Sequence, residues 1–236
     1  MTYHRRREAT GASGAMTLDR AEPTAVAAAP TVTAAILVGS ESDAVAANPL
    51  TGDVYVASQL DNTVSVISGQ TNTVSTTIGV GSPQGMAINP LTGDVYVTNI
   101  KNGTVSVISG QTNTVSTTIG VGSLPVSVAV SQLTGDVYVT NFNGGTVSVI
   151  SGLTNTVTAT VPVGASPYGV AVNPLTGDVY VTNIKNGTVS VISGLTNAVT
   201  ATIGVGDGPV GVAVNPLTGA VYTANIGDDT VSVIFG

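Results

Sequence analysis

The stretch GVAVNPLTGDVYVTNIKNGTVSVISGLTNAVTATIGVG, residues 169–206, decides the fold. It divides at its turn residues into four short segments: GVAVN (169–173), DVYVTN (178–183), TVSVIS (188–193) and AVTATI (198–203). All four are rich in valine and threonine, whose branched Cβ suits a pleated strand better than a helix. The separators PLTG, IKNG and GLTN place Pro, Gly and Asn where hairpins need special backbone angles. Asn186-Gly187 has the composition of a type I′ turn. Four antiparallel strands in about 40 residues make one propeller blade.

The unit repeats. Its central tyrosine recurs as Tyr55, Tyr96, Tyr138, Tyr180 and Tyr222, at spacings of 41, 42, 42 and 42 residues. The expectation is an all-β chain, a five-bladed β-propeller of four-stranded antiparallel blades filling residues 31–236. The fifth repeat stops at TVSVIFG (230–236), one strand short, whereas Thr31–Gly39 reads TVTAAILVG, close to the outer-strand sequence TVTATVPVG at Thr156–Gly164. Residues 31–39 are therefore expected to complete the last blade and close the ring, which would also remove an exposed sheet edge.

The VYVTN segments at 95–99, 137–141 and 179–183, preceded by NPLTGD or QLTGD, resemble the YVTN family of β-propeller repeats. The resemblance runs from residue 31 to 236. It implies an exported binding or structural role, similar to archaeal surface-layer propellers and bacterial surface or periplasmic propellers, with an extracellular or cell-surface location and no shared chemistry. Propellers of that family typically carry seven blades.

Composition narrows the functions. Hydrophobic residues make up 42% of the 236 and charged residues 8%. Four of the six basic residues (Arg5, Arg6, Arg7, Arg20) fall in the first twenty positions, leaving Lys101 and Lys185 to face ten carboxylates after residue 30. A body so acidic has no basic stripe for phosphates, which argues against a nucleic-acid partner. The absence of cysteine excludes disulfides and thiolate chemistry. No apolar run reaches the roughly 18–20 residues that cross a bilayer. Residues 1–30 read as a disordered leader, because Glu8, Asp19, Arg20 and Glu22 interrupt any signal-peptide core. That leader holds His4, the one histidine, so the propeller has no imidazole for a catalytic triad, a zinc site or acid–base work.

Comparing the repeats with each other locates their differences. The first-to-second-strand turn is NPLTG at 48–52, 89–93, 173–177 and 215–219, with SQLTG at 131–135. The third-to-fourth-strand turn is always SGQTN or SGLTN where it is present. By contrast, the second-to-third turns read QLDN (59–62), IKNG (100–103), FNGG (142–145), IKNG (184–187) and IGDD (226–229). The links between blades vary as well: SESDA (40–44), SPQG (82–85), SLPVS (123–127), ASPYG (165–169) and DGPVG (207–211). In a propeller those two variable sets share one face, here called the top. Variation confined to one face fits a binding surface on a uniform scaffold, and it also fits drift of surface turns after duplication.

Candidate sites follow from that face. Asp43, Gln84, Val126, Tyr168 and Val210, just before the first strand of each blade, are expected to ring the mouth of the central channel. Tyr168 would suit stacking on a sugar or gripping a peptide. Ring closure would also make blades 1 and 5 neighbours and gather Glu41, Asp43, Asp207, Asp228 and Asp229, a candidate calcium site, since calcium takes six to eight oxygens. The recurring Asp53, Asp94, Asp136 and Asp178 read as turn residues whose carboxylates cap local N–H groups. The expected function is a non-catalytic binding or surface module meeting a protein or glycan through its top face, with no cofactor beyond that calcium. The alternative is a divergent lactonase-like hydrolase with calcium at the channel mouth.

Overall fold

The computed structural model describes residues 29–235, with Ala34–Gly236 forming one compact unit. Expectations for the leader, His4 included, fall outside the described residues except at positions 29 and 30. Five antiparallel sheets follow one another along the chain. Blade 1 holds β1 (Ser42–Ala47), β2 (Val54–Ser58), β3 (Thr63–Ile67) and β4 (Val74–Gly79). Blade 2 holds β5 (Pro83–Ile88), β6 (Val95–Asn99), β7 (Thr104–Ser109) and β8 (Thr114–Gly120). Blade 3 holds β9 (Pro125–Val130), β10 (Val137–Asn141), β11 (Thr146–Ser151) and β12 (Thr156–Pro162). Blade 4 holds β13 (Pro167–Val172), β14 (Val179–Asn183), β15 (Thr188–Ile192) and β16 (Val199–Gly204). Blade 5 holds β17 (Pro209–Val214), β18 (Val221–Asn225) and β19 (Thr230–Ile234).

Strand order within each sheet is sequential, hairpin after hairpin. Every outer strand bulges at its second or third residue. There Ser75, Ser116, Thr158 and Thr200 turn their hydroxyls back onto the carbonyls of Val66, Val107, Val149 and Val191. The short hydroxyl residue in V-S/T-T/A thus satisfies a backbone acceptor that the bulge leaves over.

The core lies between blades, not within them. One cluster joins Tyr55, Val64 and Val66 of blade 1 to Val95, Val97 and Ile108 of blade 2. Equivalent residues join blades 2 and 3, then 3 and 4, and the last cluster sets Tyr180, Val189 and Val191 against Val221 and Ile234. Both faces of the middle strands are therefore covered, which is why VYVTN and TVSVI carry valine with few polar interruptions. Each fully buried valine stabilises the fold by roughly 1.5–3 kcal/mol relative to an exposed one.

Five blades make four such interfaces, and among the described residues the expected closing strand is not formed. Residues 31–39 carry no strand, and the sheet of blade 5 ends at β19 with three strands. The inner strands pack in a row, β1 on β5, β5 on β9, β9 on β13 and β13 on β17, with no packing of that extent between β17 and β1. Residues 37–39 are engaged by blade 1 instead. A Cβ on Gly39 would sit 2.6 Å from the Ser58 Cβ, just as one on Gly81 would meet Asn99 and one on Gly122 would meet Asn141. The segment thus takes the place of a preceding blade's outer strand without pairing with β19. Consequently Tyr222 is 39% exposed, where Tyr55, Tyr96 and Tyr138 are 0%.

Burial, with Asp94 and Asp136 nearby, pushes the phenols of Tyr96 and Tyr138 up to about 12 from 10.0. A raised folded value means the unfolded chain loses its proton first as pH rises. The stability these residues give is complete below pH 10 and is lost as pH climbs through about 12. Absorbance titration at about 295 nm should show these two phenols ionising together with alkaline unfolding, and Tyr96→Phe should remove one of them. Ionisation of both near pH 10, with the fold intact, would contradict this burial.

Candidate top-face binding site

The VYVTN segment builds the scaffold that carries the site, each residue in its own direction. The tyrosine reaches the next blade: Tyr55 donates to Asn113 Oδ1 at 2.5 Å and Tyr96 to Asn155 Oδ1 at 2.8 Å. The threonine clamps the following inner strand, with Thr140 Oγ1 donating to the Tyr168 carbonyl at 2.8 Å and Thr182 Oγ1 to that of Val210 at 3.0 Å. The asparagine faces backward and holds the link from the previous blade. Asn99 and Asn141 accept from the N–H of Gly81 and Gly122, both at 3.0 Å, while their amides donate to the hydroxyls of Ser106 and Ser148. These asparagines therefore fasten neighbouring segments together and do more than end a strand.

The turn aspartates have a different role from the one expected. In every blade it is threonine that accepts the N–H at that position. Thr51, Thr92, Thr134, Thr176 and Thr218 take the backbone N–H of Asp53, Asp94, Asp136, Asp178 and Ala220. Since the bond uses only the backbone of the acceptor's partner, Ala220 replaces aspartate without losing it.

On the top face, links and turns are zipped together, as the repeat comparison expected. Phe142 N–H donates to the Leu124 carbonyl at 2.9 Å, Ile184 to Ser166 at 3.1 Å and Ile226 to Gly208 at 3.0 Å. A side chain from the turn often adds a second tie to the link. Asp61 Oδ2 accepts from Ser40 N–H at 2.8 Å, Asp228 Oδ2 from Asp207 N–H at 3.1 Å, and Asn186 Oδ1 from Ala165 N–H. Asp61, Asn102, Gly144, Asn186 and Asp228 occupy one repeat position, so two of the acidic loop residues are link clamps.

This bears on the candidate calcium residues. Glu41 and Asp43 belong to blade 1, and Asp207, Asp228 and Asp229 to blade 5, at opposite ends of the row. Among the described residues no three carboxylates or other metal-binding side chains converge. The hydroxyl of Thr230, at 2.7 Å, and the N–H of Asp207 hold the Asp228 carboxyl below its ordinary value. A depressed folded value gives stability that is present above 3.8 and lost as pH falls through the folded pKa. Acid melts should therefore be steeper for the native chain than for Asp228→Asn, which keeps an acceptor oxygen but cannot titrate. Identical acid dependence in the two proteins would contradict the clamp.

All five expected mouth residues stand on a run of consecutive packed strands, with Gln84 on β5, Val126 on β9, Tyr168 on β13 and Val210 on β17. Asp43 stands on β1 at the end of the row. Val126 is buried and offers no surface, and the half-buried Gln84 has an enclosed Oε1 without a partner. Tyr168 alone presents a large exposed ring. It meets Phe142 edge-on, the centroids 6.4 Å apart and the planes at 82°. Sequence comparison passed over Phe142, although it replaces isoleucine in the FNGG turn and was the available signal. Beside this pair lies a cleft of ≈ 250 Å³, lined by Phe142, Asn143, Ala165, Ser166 and Lys185 among others. Gly144 and Gly145 leave its floor without side chains. Aromatic rings, an amide, a hydroxyl and one ammonium are groups for gripping a polar ligand with an apolar face.

No protein-family model matches the chain, and no curated protein sequence does. Among solved structures, a functionally unknown protein from Desulfotomaculum acetoxidans DSM 771 is similar, with TM-score 0.71 and 17% identity over 84% of this chain and 70% of that one. Kuenenia stuttgartiensis hydrazine synthase is similar at TM-score 0.50 and 14% identity, covering 88% of this chain and 99% of that one. At such identities the likeness concerns the fold alone, a β-propeller-like array of repeated antiparallel sheets.

Proposed function

We propose that the protein is a non-catalytic binding module that takes a glycan or a protein segment on its top face, at the Phe142–Tyr168 pair between blades 3 and 4. The observation that carries this reading is the edge-to-face pair itself, an exposed Tyr168 ring on a half-buried Phe142, beside a cleft holding Asn143 and Lys185. Such rings stack on the apolar face of a sugar or a side chain while neighbouring polar groups orient it. The loop carboxylates Asp61 and Asp228 already accept backbone N–H groups, which favours a structural use of them over the hydrolytic alternative. The cell-surface setting implied by the YVTN resemblance fits the same role and belongs to this proposal.

The test is a glycan and peptide array followed by titration calorimetry on whatever binds. Tyr168→Ala and Phe142→Ala should each weaken binding at least tenfold, with the melting temperature of Tyr168→Ala nearly unchanged because that ring is exposed. Binding that survives both substitutions would place the site elsewhere, and hydrolysis of a bound ligand would overturn the non-catalytic reading.

A further inference from the structure

We infer that the two ends of the row dock on each other between copies, so that the protein assembles head to tail. The argument starts from the four internal interfaces, which repeat one set of contacts. At each, a tyrosine and two valines of one blade meet valine and isoleucine of the next. Leucine of the NPLTG turn lies over the next blade's turn glycine, Leu50 at 3.4 Å from a Cβ position on Gly93 and Leu133 at 3.5 Å from one on Gly177. Asn48 Nδ2 donates across to the Gly93 carbonyl at 3.0 Å.

Blade 5 displays the giving half of this interface, with none of the described blades packed on it. Leu217 is 88% exposed where its four counterparts are 57–60%, and Val231 and Val233 are exposed at 61% and 48% where their counterparts are buried. Blade 1 displays the receiving half: nothing lies within 4 Å of a Cβ position on Gly52, and Val45 on β1 is 69% exposed. The unpaired edge of β19 completes the match. In the full blades the third strand pairs with the fourth as Thr63 with Gly79, Val64 with Ile78, Ser65 with Thr77 and Val66 with Thr76. Residues 34–37 carry the corresponding sequence and have no strand partner, Ala34, Ala35 and Leu37 being exposed. The same register sets Thr230, Val231, Ser232 and Val233 of one copy against Leu37, Ile36, Ala35 and Ala34 of another.

A second copy is the occupant that fits. It repeats a blade-to-blade relation already present four times, whereas the inner strands β1 and β17 of one chain show no packing of that extent. In the joint, Tyr222 of one copy would donate to Asn72 of the next, the counterpart of the Tyr55–Asn113 bond. Such a contact joins unlike surfaces, so it propagates or closes into a larger ring.

The chain has no cysteine, which allows a direct test. Val233→Cys and Ala34→Cys are made separately and together, and treated with a short bis-maleimide. Expected are a cross-linked dimer from the mixed single variants, none from either alone, and light scattering of the native protein giving the mass of two or more chains at high concentration. Val231→Lys should reduce that mass to one chain with an unchanged circular dichroism spectrum. A cross-linked monomer from the double variant, with a one-chain mass, would overturn the inference in favour of closure within the chain. One-chain mass with no cross-link in any sample would overturn it outright.

Discussion

Gly152→Ala should cost about 3 kcal/mol of stability, while Gly120→Ala should cost nothing measurable. Both glycines end or follow an outer part of a blade, and sequence alone treats them alike. A Cβ on Gly152 would land on the carbonyl oxygen of Gly135 in the neighbouring turn of the same blade and 2.9 Å from the Asn89 amide of the blade before. Neither the turn nor the buried asparagine has room to retreat. Around Gly120 nothing lies within 4 Å. Urea melts followed by circular dichroism would report the difference as a shift in midpoint at constant slope. Equal midpoints for the two variants would mean that the turns do not touch as described.

Tyr138→Ala should be the more damaging of a matched pair, losing about 3–5 kcal/mol, with Tyr222→Ala losing about 1 kcal/mol at concentrations low enough to keep chains apart. The two tyrosines occupy the same repeat position. Tyr138 is wholly buried between blades 3 and 4 and its hydroxyl points to Asn197, 3.5 Å away. Tyr222 stands on the face that no blade of the same chain covers. Thermal melts in dilute solution separate the two cases. Equal losses would mean that Tyr222 is buried in the single chain, and therefore that the ring closes.

The blades were legible because their signals are local. Strand and period follow from β-branched composition, from Gly, Pro and Asn separators, and from the 42-residue spacing of the tyrosines, but Asn186-Gly187, read as a type I′ turn, instead closes a 3-10 turn over Ile184–Asn186 in which only Gly187 takes a positive φ, 60°. Closure was not legible, because the likeness of residues 31–39 to an outer strand says what the segment could pair with and not where blade 5 lies. That the links share a face with the second-to-third-strand turns followed from propeller architecture, and their hydrogen bonds bring the two together. The chemistry on that face was harder to read. Asp61 and Asp228 look like ligands until they are seen sharing a position with Asn186, and Val126 looked like a mouth residue although packing buries it. Tyr168 was found in the sequence, but its partner Phe142 lies in another loop, and only the zipped top face brings the rings together.

The inter-blade ties also bear on the order in which this molecule comes apart. Each connects a blade to its immediate successor, between residues 28 to 59 positions apart, as with Thr140 and the Tyr168 carbonyl or Tyr96 and Asn155. Cooperativity then passes from neighbour to neighbour, and a blade with one neighbour is held half as firmly as a blade with two. Blade 5, short of a strand and bare on one side, is where opening begins. Blade 3, secured on both sides, is the last to lose its amide protons to solvent.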